Sequence, residues 1–209
     1  MTDKALRGLI IAVSGPSGVG KGTVLGRAEQ LIAAERPGSV GRSISATTRQ
    51  PRGRERDGVE YYFKTKREFE DMISAGEIIE YDMYVDNYYG TPAGPVADMV
   101  ESGKDVFFDI TIEGSLALKR RFPDDCVTVF LLPPSYKELE DRLTGRGTED
   151  KDKIARRMAQ ARVEIARAGE FEYIVSNHSV EQAAQDIIKI IDSEKLKAAR
   201  QKQTIKNLQ

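Results

Sequence analysis

The residues best suited to chemistry in this chain are a run of glycines that ends in a lysine. The run reads GPSGVGKGT, and it lies between a short apolar stretch and a segment with helical character. Glycines allow several backbone N–H groups to converge on phosphate oxygens, and a helix that begins there favours negative charge. The lysine can reach the outer phosphates of a nucleotide. The pattern predicts a phosphate-binding loop formed by Gly15, Pro16, Ser17, Gly18, Val19, Gly20, Lys21, Gly22 and Thr23.

The metal side of this loop departs from the strict pattern. A serine or threonine normally follows the lysine directly, whereas Gly22 stands there and Thr23 comes next. Asp109 ends the apolar stretch VFFD and resembles the carboxylate that holds magnesium in phosphate-loop enzymes. We therefore expect Mg²⁺ to bind with a nucleotide, with Thr23 and Asp109 as its protein ligands. A glycine-rich turn without a ligand, and an ordinary acid at the end of a strand, are the alternative interpretations.

Apolar runs predict the strands that position this loop. The run 9–13 is continuous and ends at a glycine turn, which is typical of a buried strand. Comparable runs lie at 105–110, 127–132 and 173–175. Helical segments separate them, and the first, 21–35, stops before a Pro-Gly pair. This alternation predicts an α/β fold with a parallel sheet and crossover helices.

Capping signals mark the starts of further helices. Three capping boxes place Glu or Gln three positions after Ser or Thr, namely Thr65 with Glu68, Ser135 with Glu138, and Ser179 with Gln182. Thr91 and Pro92 predict the N-cap and first position of a helix that runs to about Ser102. Residues 136–169 are also predicted to be helical, and so is the segment from about 180 to 196.

Two segments lack helical periodicity. Residues 41–63 are rich in Arg, Gly and Thr and end in YYF, which favours extended structure and hairpins. The polar tail beyond Leu196 is expected to fray.

Composition excludes several classes of protein. The chain has 209 residues, 40% of them apolar and 31% charged, which is enough apolar material for a folded core. Its 32 basic and 33 acidic residues give a net charge of −1, which does not favour bulk nucleic-acid binding or a polybasic membrane surface. A single cysteine, Cys126, and a single histidine, His178, exclude an internal disulfide framework and argue against structural zinc. We interpret both as structural or surface residues. The run Leu9–Val13 is too short for a membrane span, and we expect a cytoplasmic protein.

A second group of residues is suited to binding an anion. Arg49 and Arg52 lie three apart with Pro51 between them, so a stiffened backbone can aim both guanidinium groups at one phosphate. Tyr61 and Tyr89 offer hydroxyl groups that could complete such a site.

The alternative for this segment is a solvated basic loop or an RNA-contacting patch, because Arg54 and Arg56 follow closely. Glu55, Asp57 and Glu60 dilute that charge, and the segment has no clear stacking platform.

Three stretches of the chain, in order, resemble guanylate kinases: TTRQPRGRERDGVEYYF, EIIEYDMYVDNYYGTP and RLTGRGTED. The resemblance extends from about residue 8 to 192. It implies a phosphate-loop parallel sheet flanked by helices, with a core of residues 1–40 and 93–209. It also implies a nucleoside-monophosphate-binding insertion at 41–92 and a helical lid at about 137–158.

The resemblance implies an ATP:GMP phosphotransferase of purine nucleotide metabolism, with dGMP expected as a further acceptor. Its small-molecule partners would be ATP and GMP, with no nucleic acid and no membrane; a homo-oligomer stays open. Guanine presents two donors, N1–H and its exocyclic amine, to a carboxylate such as Glu80, whereas adenine presents an acceptor at N1 and would be rejected. The implied acceptor site comprises base contacts from Ser45, Glu80 and Thr91, phosphate contacts from Arg49, Arg52, Tyr61 and Tyr89, and the nearby Glu55 and Asp109.

The resemblance also implies that lid arginines complete the donor side. Arg146 and Arg157, and more weakly Arg142, would surround the transferred phosphoryl group, where positive charge offsets the charge of two polyanions. Asn177 matches a position near the donor adenine. A helix whose arginines form ion pairs in solvent is the alternative for this segment.

The chain departs from the family pattern at Tyr81, commonly tryptophan, and at Thr111 and Glu113, where the family has a second acid and a glutamine. Two other functions stay open at this point. One is a non-catalytic module that binds a phosphorylated protein, and the other is a phosphate-loop kinase for a different small acceptor.

Overall fold

A computed structural model describes residues 7–84, 86–144 and 151–206. Its strands are β1 (Ile10–Ser14), β2 (Val40–Arg42), β3 (Ala46–Thr47), β4 (Tyr62–Phe63), β5 (Ile78–Tyr84), β6 (Asn87–Pro92), β7 (Asp105–Asp109), β8 (Cys126–Leu132) and β9 (Tyr173–Ser176). Its helices are α1 (Lys21–Glu35), α2 (Lys66–Ser74), α3 (Ala93–Glu101), α4 (Ile112–Arg121), α5 (Tyr136–Thr144), α6 (Lys151–Ala166), α7 (Val180–Lys195) and α8 (Lys202–Lys206). A short 3₁₀ turn, Ala168–Glu170, follows α6.

The larger sheet has five parallel strands in the order β2-β7-β1-β8-β9. Every residue of the central strand β1 is buried, because helices cover both faces. On one face Ile11 packs with Leu25 of α1 and Ile187 of α7, and on the other Ile10 packs with Leu118 of α4. Each such side chain stabilises the fold by about 1.5–3 kcal/mol. The predicted α/β fold with a parallel sheet flanked by helices is confirmed.

The smaller sheet has four strands in the order β4-β3-β6-β5 and lies within residues 46–92. The hairpins predicted within 41–63 are wrong. Strands β3 and β4 pair in parallel, and β2 joins the larger sheet. The antiparallel hairpin is formed by β5 and β6, further along the chain. The long arginine-rich loop between β3 and β4 allows a parallel return, which a hairpin turn would not.

Several predicted helix boundaries are confirmed. Helix α1 has the predicted limits, and Thr65 and Glu68 form both hydrogen bonds of a capping box at α2. The hydroxyls of Ser135 and Ser179 accept N–H groups at the starts of α5 and α7, at 3.1 and 3.2 Å.

The predicted helix start at Thr91 is wrong. Thr91 and Pro92 are the last, buried residues of β6, Pro92 pairs with Ile78 of β5, and α3 begins at Ala93. The backbone at Pro92 is extended, with ψ of 131°, so the proline precedes the helix. Pairing across the sheet therefore overrides the local Thr-Pro signal.

The C-terminal tail is held to the core as far as Arg200, contrary to the fraying expected from sequence. The Arg200 guanidinium donates to the carbonyls of Gly8 and Asp124 and to the carboxylate of Asp125, at 2.9–3.1 Å. These groups lie at the amino ends of β1 and β8. The tail is therefore held at the end of the sheet opposite the phosphate loop. Among the helices in the described ranges, none combines the length and apolarity that crossing a membrane requires.

Candidate functional site

The glycine-rich loop lies where β1 ends and α1 begins. Gly15 and Gly18 adopt φ of 150° and 91°, which favour glycine. A Cβ atom at Gly15 would lie 2.4 Å from the Leu131 carbonyl oxygen, and one at Gly18 would lie 2.6 Å from the Leu143 side chain. The loop therefore packs closely on β8 and α5, with its backbone turned toward the start of a helix. This is the arrangement that binds phosphate groups.

Lys21 and Asp109 meet beside this loop. The Lys21 ammonium donates to the Gly15 carbonyl at 2.8 Å and lies 3.8 Å from the Asp109 carboxylate. Strands β1 and β7 pair in parallel with Val13 opposite Asp109. Asp109 and the loop therefore lie together at the carboxyl ends of these strands. The fold thus brings together two signals that lie far apart in sequence.

A magnesium ion fits this corner of the site. The Asp109 side chain is exposed, and its Oδ2 lies 3.5 Å from where a Cβ at Gly22 would be. Thr23 is exposed on the first turn of α1. The described ranges contain no cluster of three or more His, Cys, Asp or Glu side chains able to hold a metal. Magnesium needs no such cluster, since it takes one or two protein ligands and completes its shell with phosphate oxygens and water.

Arg142 and Asn177 hold the back of the loop. Arg142 donates to the carbonyls of Val19 and Asn177, both at 3.1 Å, and the Asn177 amide donates to the Val19 carbonyl at 2.8 Å. Asn177 is only 2% exposed, and its Oδ1 has no hydrogen-bond partner in the described part of the chain. A buried acceptor of this kind is suited to a donor group on a ligand. The Arg142 guanidinium therefore supports the backbone of the loop, and it is itself ion-paired with Glu138 of the same helix.

A pocket of about 290 Å³ lies beside this loop. It is lined by Gly18, Gly20, Thr23, Arg142, Asn177, His178, Ser179 and Val180. His178 is exposed, as its interpretation as a structural or surface residue allows, and it also borders this pocket. In the sequence, only its position directly after Asn177 indicated that His178 could lie near the site. Cys126 is buried, and burial raises the pKa of its thiol to about 12, which fits a structural role.

Arg157 of α6 reaches the loop from the other side. One of its guanidinium nitrogens donates to the hydroxyl of Ser17. The helix segment predicted as a lid therefore contacts the phosphate loop through an arginine. Arg146, the other main lid arginine predicted from sequence, lies outside the described residues.

The predicted phosphate contacts of the acceptor come together on the smaller sheet. The Arg49 guanidinium lies 5.3 Å from the Tyr61 ring centre and 5.8 Å from that of Phe63. Tyr61 and Tyr89 are in edge contact, with their ring centres 6.0 Å apart. Phe63, the last residue of the YYF run, is a further member of this cluster that the sequence does not single out. Arg52 is exposed; its backbone N–H donates to the Glu55 carboxylate at 2.7 Å, and its carbonyl accepts the Glu55 N–H at 3.0 Å.

Glu80 and Thr91 form a polar pair on the same sheet. The Thr91 hydroxyl donates to Glu80 Oε1 at 2.7 Å, and Thr91 is 2% exposed. Burial raises the pKa of the Glu80 carboxyl; Thr91 opposes this shift and the charge on Asp82 adds to it. Ser45 directly precedes β3, whose Ala46 pairs with Gly90, so the register places Ser45 next to Thr91. The predicted base-contacting residues thus share one region.

The two faces of this sheet differ. Phe69 of α2 stacks on Tyr88 with ring centres 5.1 Å apart and makes edge contact with Tyr81, which covers one face. Side chains alternate along a strand, so Tyr89 and Thr91 point to the opposite face. That second face carries the predicted acceptor residues. Tyr81, where the family commonly has tryptophan, belongs to the covered face.

The other departures from the family pattern have structural partners. The Thr111 hydroxyl caps α4 by accepting the Gly114 N–H at 3.2 Å. Glu113 forms an ion pair with Arg167, which follows α6. Thr111 therefore stabilises the start of α4, and Glu113 links α4 to the segment that follows α6.

Comparison with known proteins identifies the family of this chain. The guanylate kinase family model matches residues 7–194. Guanylate kinases of several Streptococcus pyogenes serotypes are 46% identical over 194 residues, covering 93% of this chain and 90% of theirs. The crystal structure of guanylate kinase from Anaplasma phagocytophilum has a TM-score of 0.70 at 29% identity, covering 94% of this chain and 90% of that one. The chain therefore belongs to the guanylate kinase family, the kinases that phosphorylate GMP with ATP.

Proposed function

We propose that this chain transfers the γ-phosphoryl group of ATP to GMP and releases ADP and GDP, using the residues described above. The observation that carries the assignment of residues is the Glu80–Thr91 pair on the open face of the acceptor sheet. A carboxylate has about four lone-pair positions. The Thr91 hydroxyl uses one of them, and the others can accept the two donors of guanine.

Base selection follows from this pair. Guanine N1–H and its exocyclic amine both donate to Glu80, whereas adenine directs the lone pair of N1 at the carboxylate. Leaving a buried carboxylate unpaired is costly, so AMP would be a poor acceptor. Ser45 and Thr91 complete the contacts to the base. None of these groups depends on the ribose 2′-hydroxyl, and we therefore propose dGMP as a further acceptor.

The GMP phosphate would bind between Arg49, Arg52, Tyr61 and Tyr89. Arginine binds phosphate through two parallel N–H donors, and tyrosine hydroxyls add single hydrogen bonds. Arg49 lies among the aromatic rings, whereas Arg52 is exposed and would turn toward the phosphate on binding.

ATP would bind at the glycine-rich loop, with the donor adenine in the pocket beside Asn177. A Mg²⁺ ion bound with ATP would supply positive charge that offsets the charge of the phosphates. Asp109 and Thr23 would hold it. Lys21, with Arg157 and the lid arginine Arg146, would stabilise charge on the transferred group, and Arg142 would keep the loop in place.

In the reaction an oxygen of the GMP phosphate attacks the γ-phosphorus of ATP, and the bond from that phosphorus to the β–γ bridging oxygen breaks. The attacking oxygen is already anionic, so no general base is needed. Catalysis then rests on positioning and electrostatics. We propose that residues 41–92 act as the acceptor-binding unit. We also propose that residues 137–158 act as a lid, which excludes water from the transfer.

The test is an ADP-release assay with ATP, Mg²⁺ and one nucleoside monophosphate at a time. GMP and dGMP should support turnover, and AMP and UMP should give less than about a hundredth of the GMP value of kcat/KM. Equal use of AMP and GMP would contradict the assignment of Glu80 and favour a kinase with a different acceptor.

A further inference from the structure

We infer that Glu55 is a positioning residue for the GMP phosphate, acting through Arg49. The inference rests on the proposed function, in which Arg49 binds that phosphate. Glu55 holds the Arg49 guanidinium in one orientation before the acceptor arrives, so that the second edge of the guanidinium is available to the phosphate.

The contact between the two side chains is bidentate. Arg49 Nη1 donates to Glu55 Oε2 at 2.9 Å, and Nη2 donates to Oε1 at 3.0 Å. Both side chains are largely shielded, with 10% of Arg49 and 24% of Glu55 exposed. The Arg49 guanidinium, and next the Arg52 N–H, hold the pKa of Glu55 below its ordinary value. The carboxylate is therefore charged throughout the neutral pH range.

Glu55 is itself fixed by its own loop. Its carboxylate accepts the Arg52 N–H at 2.7 Å, and its backbone N–H donates to the Arg52 carbonyl at 3.0 Å. These two hydrogen bonds close the turn 52–55 independently of Arg49. The Glu55 carboxylate is thus held in place and can orient the Arg49 guanidinium. The same turn fixes the backbone position from which the Arg52 side chain extends.

The remaining donors of Arg49 suit a phosphate. A guanidinium has five N–H groups. Glu55 takes two, and the Gln50 carbonyl accepts a third from Nη1 at 2.7 Å. Among the described residues, the N–H groups that Glu55 and Gln50 do not use are on Nε and Nη2, which form the second edge able to bind an oxyanion through two hydrogen bonds. Tyr89, which also raises the pKa of Arg49, belongs to the same cluster.

Glu55 and the GMP phosphate can bind different edges of the Arg49 guanidinium, so Glu55 would orient Arg49 without competing with the phosphate. The Tyr61 and Phe63 rings beside the guanidinium limit where it can move, so a phosphate would not need to displace Glu55 to reach an open edge. Fixing a flexible arginine in advance also reduces the loss of side-chain freedom that GMP binding would otherwise impose.

The experiment compares GMP with guanosine, which lacks the phosphate, by calorimetry on the full chain. Glu55→Gln should weaken GMP binding about tenfold and leave guanosine binding unchanged, since a charged hydrogen-bond pair is lost near the phosphate alone. In steady-state kinetics the KM for GMP should rise more than kcat falls. The double variant Arg49→Lys with Glu55→Gln should bind GMP no more weakly than Arg49→Lys does.

Glu60→Gln is the matched control, because Glu60 lies in the same loop and accepts a backbone N–H, from Arg56 at 2.6 Å, without touching Arg49. It should leave both affinities unchanged. Unchanged or tighter GMP binding by Glu55→Gln would overturn the inference, and so would equal losses of GMP and guanosine, which indicate a structural role. Arg49→Lys tests the proposed function separately. If it binds GMP as the wild type does, the phosphate assignment of Arg49 fails, and the role of Glu55 fails with it.

Discussion

Among single residues, Glu80 contributes most to the proposed selection of guanine. Its carboxylate is partly buried, bonded to Thr91 and faces the side of the sheet proposed for the base. Glu80→Gln should lower kcat/KM for GMP by about 100-fold, because each hydrogen bond to a charged group contributes about 1.5–3 kcal/mol. Steady-state kinetics with GMP and AMP would measure this. A variant that keeps the wild-type preference for GMP over AMP would refute the role in base recognition.

The pKa of Glu80 gives a second expectation, for pH. Burial raises the pKa of this carboxyl in the free protein, while base binding requires the ionised form. Guanosine affinity should therefore fall as pH falls through the raised pKa, and the loss should begin above the ordinary range of a glutamate. Calorimetry with guanosine between about pH 4 and 7 tests this without interference from the acceptor phosphate. Glu80→Gln should remove the pH dependence; a flat wild-type profile would count against the account.

The contribution of Glu80 to protein stability should rise as pH falls, whereas guanosine affinity falls. The folded protein binds a proton at Glu80 more readily than the unfolded chain does, so this carboxyl favours the folded state as pH falls and disfavours it at neutral pH. Glu80→Gln should thus not lower the unfolding midpoint at neutral pH, even though it impairs activity.

Residue types alone could not establish these roles. Glu80 resembles any surface carboxylate until its neighbours in the fold are known, and only the motif around it indicated more. Lys21 was identifiable from its own loop. The Glu55–Arg49 pair could not be predicted as a pair, because its geometry depends on how the turn 52–55 closes.

At the scale of elements, the strand, loop and helix that form the phosphate site were predictable. The apolar run, the glycines and the helix periodicity are all local, and α1 has the predicted limits. The β5–β6 hairpin was missed because its sequence alternates weakly and carries site residues. Helix α4 was predicted only as a helical segment between two strands, without bounds, because Gly114 interrupts its sequence and the sequence analysis gives Thr111 no capping role.

The close packing of the glycine loop gives a prediction for stability. Gly15→Ala should lower the free energy of unfolding by about 2 kcal/mol or more and abolish ATP binding, because the new Cβ meets the Leu131 carbonyl in a conformation that alanine rarely adopts. Gly94→Ala is the control: this glycine lies exposed in α3 with nothing within 4 Å of its Cβ, and the change should stabilise by up to about 1 kcal/mol. Chemical denaturation of both variants decides; equal effects would contradict the account of the loop.

At the scale of the whole molecule, the glycine-rich loop and Asp109 lie at the carboxyl ends of the parallel strands. The C-terminal tail is held at the amino ends of the same sheet. Strand order in the larger sheet and the contacts of Arg200 depend on long-range packing, which local sequence patterns do not record. The family resemblance indicated the overall fold, and the physical patterns alone indicated only its class.

The anchored tail should contribute to stability without affecting catalysis. Arg200→Ala removes hydrogen bonds to Gly8, Asp124 and Asp125 and should lower the free energy of unfolding by about 1–2 kcal/mol, with kcat/KM unchanged. Lys202→Ala, at an exposed residue of α8, is the matched control and should change neither quantity. A loss of activity in the Arg200 variant at temperatures where it stays folded would show that the tail affects the site.

Phosphoryl transfer from ATP at the glycine-rich loop to GMP at the smaller sheet is the reaction proposed for this chain. The most direct measurement follows GDP formation from ATP and GMP by chromatography, with Mg²⁺ present, for the wild type and Lys21→Ala. GMP binding is measured separately by calorimetry. We expect GDP formation by the wild type, a loss of at least about 100-fold in the variant, and equal GMP binding by both. GMP binding by the wild type without GDP formation would contradict it and would identify a binding module instead.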